Sequence, residues 1–303
     1  MESRRKNNKI IVILGPTSSG KSAAAIRIAR KFNGEIISAD SRQIYRGMDI
    51  GTGKVTIAEQ KMAYHWLIDI VSPKTDFNVT QFKRKAEKII TDILKRKKLP
   101  IICGGTGFWI RAVVDDLNFP KVKPNWELRE KLGELGSEEL FKMLRRIDPV
   151  RASIIDPKNK IRLIRAIEIC QKLGKVPRFK PHLAKKKNRH EFLQIGIDVP
   201  REVLSEKIKK RLKKRFQAGL IKEVNDLRRL GLNWKKIQSF GLCYFWTPLY
   251  LTGKISLDEL EERVYLAEKD YAKRQMTWFK KDKRILWLKK SKEIEREVKK
   301  FIS

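Results

Sequence analysis

The run GPTSSGKS carries Gly15, Gly20, Lys21 and Ser22 at the spacing G-x-x-x-x-G-K-S, directly after the apolar run Ile10–Leu14 and directly before a helical pattern, Ser22–Phe32. In a strand–loop–helix context that spacing makes a phosphate cradle. The loop of Gly15, Pro16, Thr17, Ser18, Ser19 and Gly20 turns backbone N–H groups and a helix N-terminus toward an anion, and Lys21 adds a point charge. The Ser22 hydroxyl is the metal ligand of this arrangement: it can hold Mg²⁺, with waters completing the shell. What becomes of the phosphate is a separate question. Phosphoryl-transfer enzymes add an aspartate at the end of a later strand and a residue that orients water. Asp69, in HWLIDI, suits the first role, and no clear partner suits the second. A diphosphate that leaves, rather than donating a phosphoryl group, would use the same cradle.

Two further runs offer reactive side chains. ISADSRQIYRGMDIGTGK spans residues 37–54, and a strand ending at Ala39 would present Asp40, Ser41, Arg42 and Gln43 on the following loop. Ligands bind outside the carboxyl ends of strands in parallel sheets, so Asp40 is expected on the same edge as Gly15–Lys21. A carboxylate there can accept a proton from an attacking nitrogen or align that nitrogen. It would equally serve to cap a turn and pair with Arg42. Gln43 has a donor and an acceptor, which suits the edge of an adenine. CGGTGFW, residues 103–109, repeats the strand-then-glycine pattern, with Thr106 the polar side chain among Gly104, Gly105 and Gly107. The glycines permit close backbone approach. The Thr106 hydroxyl either faces a ligand or satisfies a turn.

The elements that must position these loops follow from periodicity. Short β-branched runs recur at Ile10–Leu14, Glu35–Ala39, Trp66–Val71, Pro100–Cys103, Phe192–Val199 and Arg284–Leu288, most of them separated by helical patterns such as Thr80–Lys97. This alternation predicts an α/β fold: a P-loop NTPase-like parallel sheet with helices on both faces. Between residues 118 and 190 the alternation stops. Leu128, Leu132, Leu135, Leu140, Phe141 and Leu144 mark one helix there, Asn159–Leu173 a second, and the segment ends in Lys185, Lys186, Lys187 and Arg189. It reads as an all-helical insertion domain ending in a basic loop, which is either a contact or a solvated linker. The expected organisation is therefore 1–117, the first part of the core; 118–190, the insertion; and 191–303, the second part of the core with long basic helices. In that last part the apolar positions Val203 to Leu227 step by one helical turn. Beside them run Lys207, Lys210, Arg211, Lys214 and Arg215. Ser256 to Glu259 is a capping box opening a helix expected to bury Leu260, Val264, Ala267, Tyr271 and Trp278.

Charge and cysteines bound the partners. Seventy Lys+Arg against 35 Asp+Glu give +35. Such an excess favours a nucleic-acid partner through neutralised phosphates, unless it reflects a lysine-rich surface alone. Three scattered cysteines, without C-x-x-C spacing, argue against a zinc site or a disulfide framework. The apolar run after the N-terminus is too short for a signal or membrane helix, so a soluble, cytoplasmic protein with no membrane association is expected. A monomer is expected too, since no apolar surface stripe marks a dimer and the net charge opposes one.

The runs GPTSSGKS, ISADSRQIYRGMDIGTGK, HWLIDIV, PIICGGTGFWIRAV, DPVRASIIDPKNKIRLIRAIEI, IGIDVPREVL and YAKRQMTWFKKD occur in order over nearly the whole chain and resemble the bacterial tRNA dimethylallyltransferase (tRNA isopentenyltransferase) family. The resemblance implies transfer of a dimethylallyl group from dimethylallyl diphosphate to N6 of the adenosine just 3′ of the anticodon, position 37, with release of diphosphate. It implies that the Gly15–Ser22 loop holds the diphosphate of the donor and that Mg²⁺ assists. Asp40 falls on the carboxylate that binds or deprotonates the adenine N6, Thr106 on the hydroxyl near the reacting centre, and Arg211 on an arginine that reaches the diphosphate. Lys21 completes the implied catalytic set. The implied contacts with the tRNA anticodon stem-loop are Asp40, Ser41, Arg42, Gln43 and Thr106, with Arg129, Ile161, Arg162, Leu163, Ile164 and Arg165 on the insertion. Arg274, Gln275, Trp278 and Phe279 match the RQ-x-TWF signature, whose role stays open; Trp278 is expected in the core rather than stacked on a base.

The chain departs from the family pattern at QSFGLCYFW, residues 238–246, where a glycine-tyrosine pair and an acidic residue are usual, and at His65, where a pair of histidines is frequent. These changes bear on RNA placement and not on the catalytic loops. Competing readings are a small-molecule kinase or NTPase resting on Asp69, a basic RNA-binding protein with a vestigial loop, and a prenyltransferase for free adenine nucleotides.

Overall fold

The computed structural model describes residues 8–177 and 190–303. Six short, largely apolar runs form one all-parallel sheet in the order β3-β2-β4-β1-β5-β6. The strands are β1 (Lys9–Leu14), β2 (Gly34–Ser38), β3 (His65–Trp66), β4 (Leu99–Gly104), β5 (Glu191–Ile197) and β6 (Leu286–Leu288). A sheet covered on both faces needs no polar alternation, and β1 is buried along nearly its whole length. The pleat still sorts its side chains. Ile10, Val12 and Leu14 join Phe82 and Trp109 in one cluster, and Ile11 and Ile13 join Ile26, Ala29, Ile294 and Val298 in another. The first cluster rests on α3 (Val79–Lys95) and α4 (Gly107–Val114), the second on α1 (Lys21–Lys31) and α14 (Ser291–Ile302). A short helix, α2 (Ile57–Met62), opens on a Thr56–Glu59 capping box.

The chain divides into two compact units: Met1–Asp116 with Asn188–Ser303, and Leu117–Lys187. The second contains α5 (Trp126–Glu134), α6 (Ser137–Ile147), α7 (Pro149–Ala152) and α8 (Lys160–Leu173) around Leu132, Leu140, Leu144, Leu163 and Ile167. The single helix expected over Leu128–Leu144 is two, because Leu135 is extended and Gly136 caps α6 through Glu139. The basic residues Lys185, Lys186, Lys187 and Arg189 lie outside the described residues.

In the first unit the C-terminal half adds α9 (Arg201–Gln217), α10 (Leu220–Arg229), α11 (Trp234–Gln238), α12 (Cys243–Leu251) and α13 (Leu257–Phe279). The turn-by-turn apolar stepping from Val203 to Leu227 spans two helices, broken where Gly219 takes φ +97°, a conformation an L side chain rarely adopts. The expected strand Trp66–Val71 also stops early. Leu67 and Asp69 have positive φ, ending the ladder after Trp66, while Asp69 and Val71 donate instead to the carbonyls of Gln43 and Ile44. On α13 the capping box at Ser256 and the burial of Leu260 and Val264 hold. Ala267 and Tyr271 are only half-buried, and Trp278 is 38% exposed rather than in the core. The inward positions after Val264 are Glu268, Ala272, Gln275 and Phe279, because α13 turns part of its buried face to polar loops.

Candidate active site

Register brings three loops to one edge. Leu14 pairs with Gly104 and Ser38 with Cys103, so the chain leaves β1, β4 and β2 side by side at their carboxyl ends. The Ala39 N–H donates to Cys103 O at 2.8 Å, and the Thr106 N–H donates to Ala39 O at 3.3 Å. Gly104 is required here: a Cβ would stand 2.2 Å from the Ala39 carbonyl oxygen.

The loops after β1 and β2 border a cavity of about 1080 Å³, and the glycine loop after β4 lies behind its wall. Thr17, Ser18, Gly20, Lys21 and Ser22 line it on one side, and Asp40, Ser41, Arg42 and Gln43 on another, with Arg211 also reaching it. Gly20 is left-handed and caps α1 without a side-chain hydrogen bond, so the first-turn N–H groups lack intrahelical acceptors, as an anion site needs. Lys21 donates to Pro16 O at 3.2 Å. Burial lowers its ammonium from the usual lysine value, with Arg211 acting the same way and Cys103 and Asp40 opposing. Arg211 donates to Thr17 Oγ1 at 3.3 Å and Gly53 O at 2.7 Å. Burial first, then Arg215, brings its guanidinium down to about 10. Two desolvated cations facing one cavity, each of which an anion would stabilise in its charged form, form a place for a multiply charged anion.

Asp40 does cap its turn: Oδ1 accepts from the N–H groups of Arg42 at 2.9 Å and Gln43 at 3.4 Å. Arg42 pairs elsewhere, donating to Ser239 O and lying over the Phe240 ring. Gln43 donates to Gly53 O at 3.3 Å and accepts from Ser38 Oγ at 3.5 Å. Thr106 accepts from the Ser41 N–H at 3.1 Å and lies close to Tyr271, a residue of the cavity lining, so it satisfies a turn and adjoins the cavity wall at once. Burial, the largest influence, pushes the Tyr271 phenol up to about 12. Asp69 is ion-paired with Lys54, which also holds Asp49 and the Tyr45 carbonyl. The carboxylate expected to support phosphoryl transfer is therefore already engaged.

The basic stripe of α9 is not a uniform surface face. Lys207 and Lys214 line the cavity, and Arg215 is buried against Glu268. Sequence reasoning missed three fixing groups. Glu223 accepts from the N–H groups of Asp49, Ile50 and Gly51 at 2.7, 2.6 and 3.0 Å and from the Tyr244 hydroxyl at 2.8 Å. Lys54 is the second. Gln275, the third, bonds Thr17 and Gly105. Glu223 is signalled in the sequence only by the inward stripe of α10, whereas Gln275 stands in the RQ-x-TWF signature, which names the residue but not its bonds.

Arg129 and residues 161–165 belong to the helical unit. Ile161 is 82% exposed and Arg162 is exposed, whereas Leu163 is fully buried in the unit's core. Leu163 is thereby removed from any surface contact through its side chain. Arg129 and Arg165 both grip the buried Glu168, Arg129 with two hydrogen bonds of 2.9 Å, and Arg165 also donates to Val122 O.

The model of the IPP transferase family matches residues 43–282. The tRNA dimethylallyltransferase of Acetivibrio thermocellus is 43% identical over 288 residues, covering 93% of this chain and 92% of that protein. That of Carboxydothermus hydrogenoformans is 40% identical over 306 residues, covering 98% and 97%. The crystal structure of the full-length tRNA isopentenylpyrophosphate transferase from Bacillus halodurans superposes with a TM-score of 0.73 at 33% identity, covering 97% of each chain. A eukaryotic dimethylallyltransferase acting on tRNA gives 0.74 at 25% identity, over 89% of this chain and 69% of that one. A match of this extent, on a chain whose cradle and Asp40 loop share one cavity, means that the protein belongs to the IPP transferase family.

Proposed function

We infer that the protein is a tRNA dimethylallyltransferase, moving the five-carbon group of dimethylallyl diphosphate to N6 of adenosine 37, next to the anticodon, and releasing diphosphate. The observation that carries this reading is the shared cavity: an anion cradle and a separate carboxylate loop face each other, while Asp69 is held by Lys54. In the reaction the allylic C1–O bond breaks and the N6–C1 bond forms. Charge builds on the leaving diphosphate, where Lys21, Arg211 and the loop N–H groups stabilise it. Asp40 aligns the adenine amine and takes its proton, and Thr106 and Gln43 orient the base. The adenine must leave the anticodon-loop stack to reach the carbon.

The residues present fit Mg²⁺. Ser22 offers a hydroxyl in the cavity beside Lys21, and no group of three His, Cys, Asp or Glu side chains suited to a metal occurs among the described residues. A hard cation that keeps its waters and takes its remaining oxygens from a substrate phosphate suits such a site. When bound it supplies charge neutralisation on the diphosphate. The tRNA partner is supported by the charge of +35 and by the exposed Arg162. A monomeric, cytoplasmic enzyme goes with this reading; no described helix is long and apolar enough to cross a membrane.

The test is mass spectrometry of nucleosides from unmodified tRNA incubated with the protein, Mg²⁺ and either dimethylallyl diphosphate or ATP. Prenylated adenosine is expected only with the prenyl donor. Unmodified tRNA in both samples, with ATP consumed in the second, would replace this reading with a kinase or NTPase. In the same assay Asp40→Ala abolishes transfer and largely spares tRNA affinity, measured by filter binding, since one carboxylate adds little to an interface dominated by phosphates.

A further inference from the structure

Gln275 is 6% exposed, and both ends of its amide are used. Oε1 accepts from the Thr17 N–H at 2.8 Å, and Nε2 donates to Gly105 O at 2.9 Å. One side chain on α13 therefore joins the cradle after β1 to the glycine loop after β4. The contact is close: a Cβ on Gly105 would stand 2.3 Å from Gln275 Nε2 and would push the amide away from the Gly105 carbonyl. Neighbours on the same face of α13 touch the same loop. Tyr271 lies close to Thr106, and a Cβ on Gly107 would stand 2.2 Å from Trp278 Cδ1.

Resting on the prenyl-transfer reading, we infer that Gln275 is a positioning residue that fixes the distance between the diphosphate cradle and the Thr106–Asp40 wall, and so between the two atoms that must bond. The loop after β4 is mostly glycine, and in the cradle the Ser18 and Ser19 hydroxyls find no protein partner, so neither loop is held by its own side chains there. Thr106 bonds Ser41, and Thr106 N–H bonds Ala39, so a shift at Gly105 passes to the Asp40 loop. A side chain placed for packing alone would need no polar ends. An amide supplies a donor and an acceptor in fixed geometry, and Asn would be one carbon too short.

The test is Gln275→Met, which keeps the volume and removes both hydrogen bonds, beside Val264→Ala as a control on the buried core face of the same helix. At saturating dimethylallyl diphosphate and tRNA, and well below both melting temperatures, Gln275→Met is expected to lose kcat by roughly tenfold to a hundredfold, as about an ångström of misplacement does. Affinity for tRNA is expected to hold. Val264→Ala is expected to lower Tm and keep kcat. Undiminished kcat in Gln275→Met, or an equal loss in Val264→Ala at matched stability, overturns the positioning role. If Gln275→Met does not fold, Gln275→Glu at pH 8 keeps the acceptor for Thr17 and loses the donor for Gly105; full kcat there overturns it equally. A wild-type enzyme that forms no prenylated adenosine overturns the transferase reading instead, so the two failures are distinct.

Discussion

Glu168 in the helical unit and Glu268 on α13 are both carboxylates with side chains 2% exposed and both held by arginine, but they are held to different degrees. Glu168 has both oxygens engaged, by the Asn125 N–H, by two nitrogens of Arg129 and by Arg165. Glu268 bonds Arg215 through Oε1 alone, and Glu268 Oε2 and Arg215 Nε find no protein partner. The first is a closed structural knot. The second borders the cavity, beside Arg211, and retains free polar atoms in a site read as binding an anion. Arginines with similar helical settings in the sequence thus do different work: two close a core, and a third stands at a site.

The largest test of that contrast is Glu168→Gln. It replaces one oxygen by a donor that faces arginine donors, and is expected to cost about 3–5 kcal/mol in chemical denaturation. A smaller cost would mean that the knot is looser than its geometry. Glu35, at the opposite end of the sheet, offers a calibration. Hydrogen bonding to Arg96 first, then to Lys98 and Trp66, outweighs burial and holds its carboxyl at about 2, below the ordinary 4.5. A depressed value means that its contribution is complete above about pH 4.5 and is lost as pH falls toward 2. Allowing for the partly exposed cations, Glu35→Gln is expected to cost about 2 kcal/mol at neutral pH, and the difference from wild type should shrink with acid. Glu268→Gln comes next: it keeps the acceptor for Arg215 and puts its amide nitrogen where no bond is broken, but it removes the counter-charge of a buried guanidinium, so about 2 kcal/mol is expected by the same denaturation. An equal cost at Glu168 and Glu268 would erase the distinction. The smallest effect concerns the insertion. Arg162→Ala should reduce the salt slope of tRNA binding by about one, whereas Arg165→Ala should leave the slope unchanged and lower stability.

What was legible in the sequence was local. The cradle, the Asp40 loop and the Gly104–Gly107 loop are each defined by neighbours within a few residues, and parallel strands burying both faces read as apolar runs. The strand at Trp66 was overextended because nothing in its composition announces that Leu67 turns left-handed. Partners distant in sequence were not legible. Lys54 against Asp69, Glu223 against residues 49–51 and Gln275 against Thr17 and Gly105 depend on how elements meet. The same limit hid the fact that Arg165 is spent on Glu168 and that Leu163 is core. Trp278 was misplaced because helical stepping shows which face is inward, not which part of that face meets polar loops.

The bond from Thr17 to Gln275 spans 258 residues, and that span has a consequence for synthesis. A ribosome adding about 5–20 residues per second needs roughly 13–50 s to make the stretch between them. During that interval a nascent chain displays the whole GPTSSGKS sequence without the side chain that ties it to its neighbour. The amide therefore works as a completion check: chains that stop before α13 carry the motif but not its final shape.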